Sequence, residues 1–113
     1  MSKPPAFQFY PRDWIMSTRI LTPEQRGVYW DLLCFGFDME DGLPQESAEL
    51  AALVGMTPPK FRRVWSVISS RFYQDDAGNW RNRRQEDQKA EMDELREKRR
   101  KAGRASAEQR ASK

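Results

Sequence analysis

Apolar residues recur at helical spacing in three stretches of this chain, and each stretch carries its own start or stop signal. In the first, Val28, Tyr29, Leu32, Leu33, Phe35 and Phe37 form a wide stripe that runs to about Met39. A helix with such a stripe buries it, which makes this helix the platform of a domain. Thr22-Pro23-Glu24-Gln25 precedes it and predicts a capping box, with Thr at the N-cap, Pro at the first helical position and Gln at N3. The second stretch, Glu46 to Val54, turns Leu50, Leu53 and Val54 inward and ends at Gly55, a residue that takes the left-handed conformation closing a helix. The third runs from Thr57 to about Arg71, with Phe61, Val64, Trp65 and Ile68 at i, i+3, i+4 and i+7 on one face. Thr57 as N-cap and Pro58 at N1 set its start. Ala51, Gly55, Phe61 and Val64 supply the small, turn and apolar positions that let two helices cross closely, so residues 49–65 read as a helix-turn-helix.

Period-two signals are shorter. Phe7-Gln8-Phe9-Tyr10-Pro11 alternates aromatic and polar residues and predicts a short extended segment, followed by a brief helix from about Asp13 through Trp14, Ile15 and Met16. These aromatics read as core rather than as a stacking platform for bases. Gly42-Leu43-Pro44 predicts a short strand. Asp75-Asp76-Ala77-Gly78 separates Arg71-Phe72-Tyr73-Gln74 from Asn79-Trp80-Arg81-Asn82, a hairpin signal. A hairpin directly after a helix-turn-helix is the wing of a winged helix. From about Arg84 to Lys101 almost every residue is charged or polar, with only Ala90, Met92 and Leu95 offering apolar contact. Glu94–Lys98 and Glu97–Lys101 are favourable i,i+4 pairs, so a projecting charged helix is predicted. The expected organisation is a flexible leader (1–6), a winged helix-turn-helix domain (7–84), a charged helix (85–101) and a disordered basic tail (102–113). The class is mainly α with a small β-hairpin, that is, α+β.

Charge changes this picture more than bulk composition does. The net charge is only +3 over 113 residues, but residues 1–59 hold 4 basic and 8 acidic groups, whereas residues 60–84 hold 7 basic and 2 acidic. Positive charge begins where the third helix begins, and clustered Arg and Lys attract polyanions. The face of that helix opposite Phe61 presents Pro59, Arg62, Arg63, Ser66 and Ser70, with Lys60 and Val67 on its flank. An apolar back with a guanidinium and hydroxyl front is what a major-groove helix requires. Arg81, Arg83 and Arg84 are then expected on or beside the wing, reaching phosphates or a minor groove. The alternative is a hairpin that only completes the core, its arginines without a ligand.

Other chemistry is narrowed by what the chain lacks. It has one cysteine, Cys34, and no histidine, which excludes an internal disulfide, zinc sites of the usual composition and histidine-based catalysis. Asp38, Glu40 and Asp41 read as a solvated turn rather than a metal site, and the acids form no nuclease motif. No metal, no cofactor and no catalytic role are expected. There is no run of about 20 apolar residues to span a membrane and no secretory-signal pattern, so a cytoplasmic protein is expected.

Phe9-Tyr10-Pro11-Arg12-Asp13-Trp14, Thr18-Arg19-Ile20-Leu21-Thr22, Gly27-Val28-Tyr29, Gly42-Leu43-Pro44, the helix-turn-helix, Trp80-Arg81-Asn82 and Gly103-Arg104-Ala105-Ser106 together resemble the YdaU-like domain of phages and prophages. The resemblance covers nearly the whole chain in consistent order. It implies a double-stranded DNA-binding winged helix associated with replication initiation, with replication proteins as further partners. Family members often continue into a longer C-terminal region, which this chain lacks, so helicase-loader recruitment is not expected of it. A homodimer on two half-sites fits the class, although no zipper enforces one. The competing reading is a winged-helix docking module for a host or phage protein.

Overall fold

The computed structural model describes residues 6–111, so the predicted leader (apart from Ala6) and the last two residues of the predicted tail lie outside the described residues. Helix α1, Pro11–Thr18, begins on Pro11 at its first position. Its Thr18 is buried and donates its hydroxyl back to the Trp14 carbonyl at 2.6 Å. Helix α2, Pro23–Asp38, opens with the predicted capping box: Gln25 N–H donates to Thr22 Oγ1 at 3.2 Å and Thr22 N–H to Gln25 Oε1 at 2.9 Å. Its buried face is Val28, Tyr29, Leu32 and Gly36, while Leu33, Phe35 and Phe37 are only half-buried. The stripe is therefore narrower than its apolar pattern suggests. Gly36 belongs to it because a Cβ there would stand 3.1 Å from Gln85 Oε1 and 3.6 Å from Leu43 Cγ.

Helix α3, Ser47–Val54, ends at Gly55 with φ +73°, and the Gly55 N–H returns to the last turn of the helix. Helix α4, Pro58–Ile68, follows after a three-residue link, Gly55 to Thr57. Thr57 holds the N-cap position, but its hydroxyl makes no capping bond. Pro58 and Pro59 at N1 and N2 have no N–H to offer it, which leaves one donor where a cap usually has a choice. Beyond Ile68 the chain tightens into a 3₁₀ turn, Ser69–Arg71, so the α-helix is three residues shorter than predicted.

Strands β1, Tyr73–Gln74, and β2, Trp80–Arg81, pair antiparallel with Tyr73 opposite Arg81 and Gln74 opposite Trp80. The turn between them is held by the Asp75 carboxylate, which accepts from the N–H groups of Ala77 and Asn79, both at 3.0 Å. The predicted strand at Gly42-Leu43-Pro44 reduces to one residue: Leu43 exchanges both backbone bonds with Trp80, at 2.9 and 3.0 Å. Gly42 (φ +89°) is required just before it, since a Cβ would sit 3.2 Å from the Trp80 carbonyl oxygen. Buried Leu43 thus ties the turn after α2 to the far strand of the hairpin.

The core lies between α2, α3, α4 and the hairpin, with Leu32, Leu43, Leu50, Phe61 and Ile68 essentially sealed from solvent. Aromatic rings continue it across the molecule. Trp30 meets Phe7, Phe9 and Trp14; Trp14 stacks on Tyr29 at 5.5 Å; Tyr29 meets Phe72; and Trp65 joins Phe72, Phe61 and Trp80. Edge-on and tilted pairs of this kind add to simple area burial. The N-terminal aromatics were expected in the core, but Phe7 and Trp14 are only half-buried and Phe9 and Tyr10 are exposed, so they pack at its edge.

Helix α5, Arg83–Ala111, is longer at both ends than the predicted charged helix. Asn82 caps it, accepting from the Gln85 N–H at 2.9 Å, and the alanines, arginines and glutamine after Lys101 favour helix, so residues 102–111 continue it where a disordered tail was expected. The Glu94–Lys98 and Glu97–Lys101 pairs are not made; Glu97 instead meets Arg100 at 2.6 Å, one residue nearer. Two side chains fasten α5 to α2: Gln85 donates to the Leu33 carbonyl at 2.7 Å and Lys89 to the Gly36 carbonyl at 3.0 Å. Lys89 thereby satisfies an orphan carbonyl in the last turn of α2, at the negative end of its dipole. The projecting part of α5 stretches the molecule to 67 Å against 31 and 28 Å in the other directions. Among the described residues no helix is long and apolar enough to cross a membrane.

Candidate nucleic-acid interface

The amphipathic pattern of α4 places its side chains as its sequence dictates. Phe61, Val64 and Ile68 are buried, and Trp65 is half-buried against Phe61, Phe72 and Trp80. Pro59, Lys60, Arg62, Arg63, Ser66, Val67 and Ser70 are all exposed. The Ser66 hydroxyl donates to the Arg63 carbonyl at 2.7 Å and so keeps only acceptor capacity toward a ligand. Lys60, Arg62 and Arg63 make no ion pair or side-chain hydrogen bond among the described residues. Their charge is uncommitted, and they share one helix.

The three arginines predicted on the wing are placed differently. Arg81 turns inward: its Nε meets Asp75 Oδ2 at 2.6 Å, Nη1 meets Glu86 Oε1 at 3.4 Å, and Nη2 reaches the Glu40 carbonyl at 3.4 Å. The hydrogen bond from Arg81 is the main cause that holds the Asp75 carboxyl below its ordinary range, and the same bond raises the Arg81 guanidinium above its own. Arg84 crosses to α1 and meets Asp13 at 2.6 Å, both side chains about half exposed. Arg83 lies with its guanidinium 4.8 Å from the Tyr73 ring centre, exposed on the hairpin side. Of the nine predicted residues, the six on and beside α4 lie together, Arg83 remains outward, and Arg81 and Arg84 are held in intramolecular ion pairs.

Other residues that shape this region were not predicted from sequence. Arg71 donates to the Ser17 carbonyl at 2.6 Å and lies over the Tyr29 ring, joining the end of α4 to α1. Buried Asn82 donates to the Arg71 carbonyl at 2.9 Å while its oxygen caps α5. Asn followed three residues later by Gln is a capping pattern, so a signal existed at Asn82 and Gln85. Nothing comparable marks Arg71.

On the opposite side of α1, Phe7, Phe9, Trp14, Trp30, Arg26 and Gly27 enclose an open hollow of about 720 Å³. Ile15, Met16 and Ile20 are exposed nearby on α1 and the turn after it, Ile20 at 86%. Cys34 is half-buried, and burial, with a smaller contribution from Asp31, raises its thiol pKa. That disfavours the reactive thiolate.

The chain matches no curated protein and no solved structure. Residues 5–90, which take in all of the folded core and the start of α5, match a family of domains described as protein of unknown function (DUF1376), and the chain belongs to that family.

Proposed function

We propose that this chain is a winged helix-turn-helix protein that binds double-stranded DNA, without catalytic activity of its own, and that α4 enters the major groove. The observation that carries the reading is the front of α4. Lys60, Arg62 and Arg63 are exposed without partners among the described residues, beside Ser66 and Ser70, over a back of buried Phe61, Val64 and Ile68. Fixed apolar anchoring of one face orients the other, which is how a helix presents cations to a groove. The order of α2, the Leu43 bridge, α3, α4 and the hairpin supports the winged form. Arg62 and Arg63 are assigned to phosphates or to guanine edges, Ser66 and Ser70 to secondary bonds, and Arg83 to the backbone from the hairpin. Arg84 joins them only by exchanging its exposed pair with Asp13, an exchange that costs little. From the resemblance to the YdaU-like domain we further propose a role in phage or prophage replication initiation, with replication proteins as further partners and a second copy on an adjacent half-site.

Four phosphate contacts give a log-affinity against log-salt slope of roughly −3.6, at about −0.9 per phosphate. Titration of labelled duplex by fluorescence anisotropy over a salt series tests this. Arg62→Ala with Arg63→Ala weakens retention by at least tenfold; equal binding by parent and double variant removes α4 from the contact. The second reading is a docking module, favoured by the apolar hollow beside Trp30 and by exposed Ile15, Met16 and Ile20. Duplex binding that is absent even at low salt, with the protein folded, decides for docking.

A further inference from the structure

We propose that the far end of α5 is a second nucleic-acid contact, in which Lys98, Arg99, Lys101 and Arg104 grip duplex phosphates beyond the stretch covered by α4. This rests on duplex DNA being the ligand of α4. The charge of the helix reverses along its length. From Glu86 to Glu97 it carries six acidic residues and two basic ones, whereas from Lys98 to Ala111 it carries six basic residues and one acid, Glu108. Arg100 is paired with Glu97. Lys98, Arg99, Lys101 and Arg104 are exposed and make no ion pair or side-chain hydrogen bond among the described residues.

What this end of the helix lacks selects its partner. Between Lys98 and Ala111 the apolar side chains are alanines only. A protein groove or a coiled coil needs a larger apolar stripe, and a membrane interface needs a strong apolar face. Neither exists here. The cations are spread around the helix at positions 98, 99, 101 and 104, so they repel one another on a projecting rod and several face a polyanion in any rotation. Phosphates relieve that repulsion.

Position supports the same conclusion. Lys89 holds α5 to the body of the domain through the Gly36 carbonyl. Helical rise puts Arg104 about 22 Å beyond it, a distance of about six base pairs along B-DNA at 3.4 Å each. Beyond Lys89 the helix passes the end of α2 and the Arg81 side of the hairpin, since Phe37, Asp38, Arg81, Met92 and Arg96 line one open hollow. The projecting cations therefore extend from the end of the domain where α2 closes and Arg81 of the hairpin lies.

The test uses the full chain and four proteins: the parent, the Arg62→Ala/Arg63→Ala variant, a Lys98→Gln/Arg99→Gln/Lys101→Gln/Arg104→Gln variant, and an Arg99→Lys/Arg104→Lys variant. Glutamine and lysine keep helix propensity, and circular dichroism checks that α5 remains. Each protein is titrated across a salt series with duplexes of roughly 12 and 30 base pairs, sized from the spans above. The expected result is a slope on the long duplex that is shallower by about three to four for the glutamine variant, at −0.9 per contact, no change on the short duplex, and parental behaviour of the lysine variant. An unchanged slope for the glutamine variant on the long duplex overturns the proposal, and the α4 reading stands if the alanine pair has lost binding. A loss confined to the glutamine variant removes α4 from the contact, and with it the reading on which this proposal rests. Failure of the parent to bind either duplex overturns both.

Discussion

Helix α4 and the hairpin carry the same kind of residue in the same stretch of chain, and the fold uses them in opposite ways. On α4, Arg62 and Arg63 stand clear of every described acid, over a back closed by Phe61, Val64 and Ile68. On the hairpin side, Arg81 closes a turn by holding Asp75 and Glu86 together, and Arg84 ties the start of α5 to α1. An arginine at the end of a two-residue strand lies within reach of its own turn, where Asp75 is fixed by two backbone N–H bonds. An arginine on the outer face of a helix whose neighbours are Pro, Ser and other cations has no such partner. Cationic composition alone does not distinguish a ligand-binding face from a structural clasp; the placement of acids around it does.

The sharpest way to break the contrast is to remove the back of α4. Phe61 is completely buried and stacked on Trp65. Phe61→Ala is expected to cost about 3–5 kcal/mol, the usual range for truncating a buried aromatic, read from urea unfolding. A cost below about 1.5 kcal/mol would show that this face does not anchor the helix. At the other end of the comparison, Asn82 joins the hairpin to α5. Asn82→Ala leaves the Arg71 carbonyl without its donor and the Gln85 N–H without its cap, and about 1–3 kcal/mol is expected from unsatisfied buried groups. Asn82→Asp retains the cap acceptor and should recover part of that loss; no recovery would mean that the cap contributes little.

Much of this contrast was legible in the sequence, for a definite reason. The capping box at Thr22, the left-handed stop at Gly55 and the 3.6-residue stripe of α4 are local patterns whose physics is complete within a few residues, and the structure contains all three. The hairpin was legible from Asp75-Asp76-Ala77-Gly78, again locally. The fates of Arg81 and Arg84 were not. Arg81 is held by Asp75 and Glu86 only six and five residues away, but a charge count does not say which way its side chain turns. Arg84's partner Asp13 lies 71 residues away, and nothing in a charge count brings distant positions together. The same holds for Lys89 on the Gly36 carbonyl and for Arg71 on the Ser17 carbonyl. Thr57 shows the converse case: a correct cap position without its bond, where Pro58 and Pro59 leave the Lys60 N–H as the one donor within reach.

Acid titration sharpens the hairpin side with a smaller effect. Asp75 is held below its ordinary 3.8, chiefly by its hydrogen bond from Arg81 and further by those from Asn79 and Ala77. A carboxyl with a depressed folded value contributes stability that is complete above its unfolded value and is lost as pH falls through the folded one. The parent should therefore lose thermal stability on going from pH 5 to below 3.8 more steeply than Asp75→Asn, whose side chain does not titrate. Parallel midpoints in both proteins over that window would leave the Arg81 clasp without energetic weight.

The smallest expected effect is the most discriminating. Arg62→Ala with Arg63→Ala removes two exposed side chains without partners among the described residues, so stability should change by no more than about 0.5 kcal/mol, as for surface positions generally. Arg81→Ala removes one arginine and leaves Asp75 and Glu86 facing each other across the site it occupied, so its thermal midpoint should fall below that of the double variant. Scanning calorimetry on the parent and these two variants at one pH and salt reads the difference directly. If two arginines removed from α4 cost as much as one removed from the hairpin, then Arg62 and Arg63 serve the fold after all. The α4 front would then lose its standing as a face held free for a ligand.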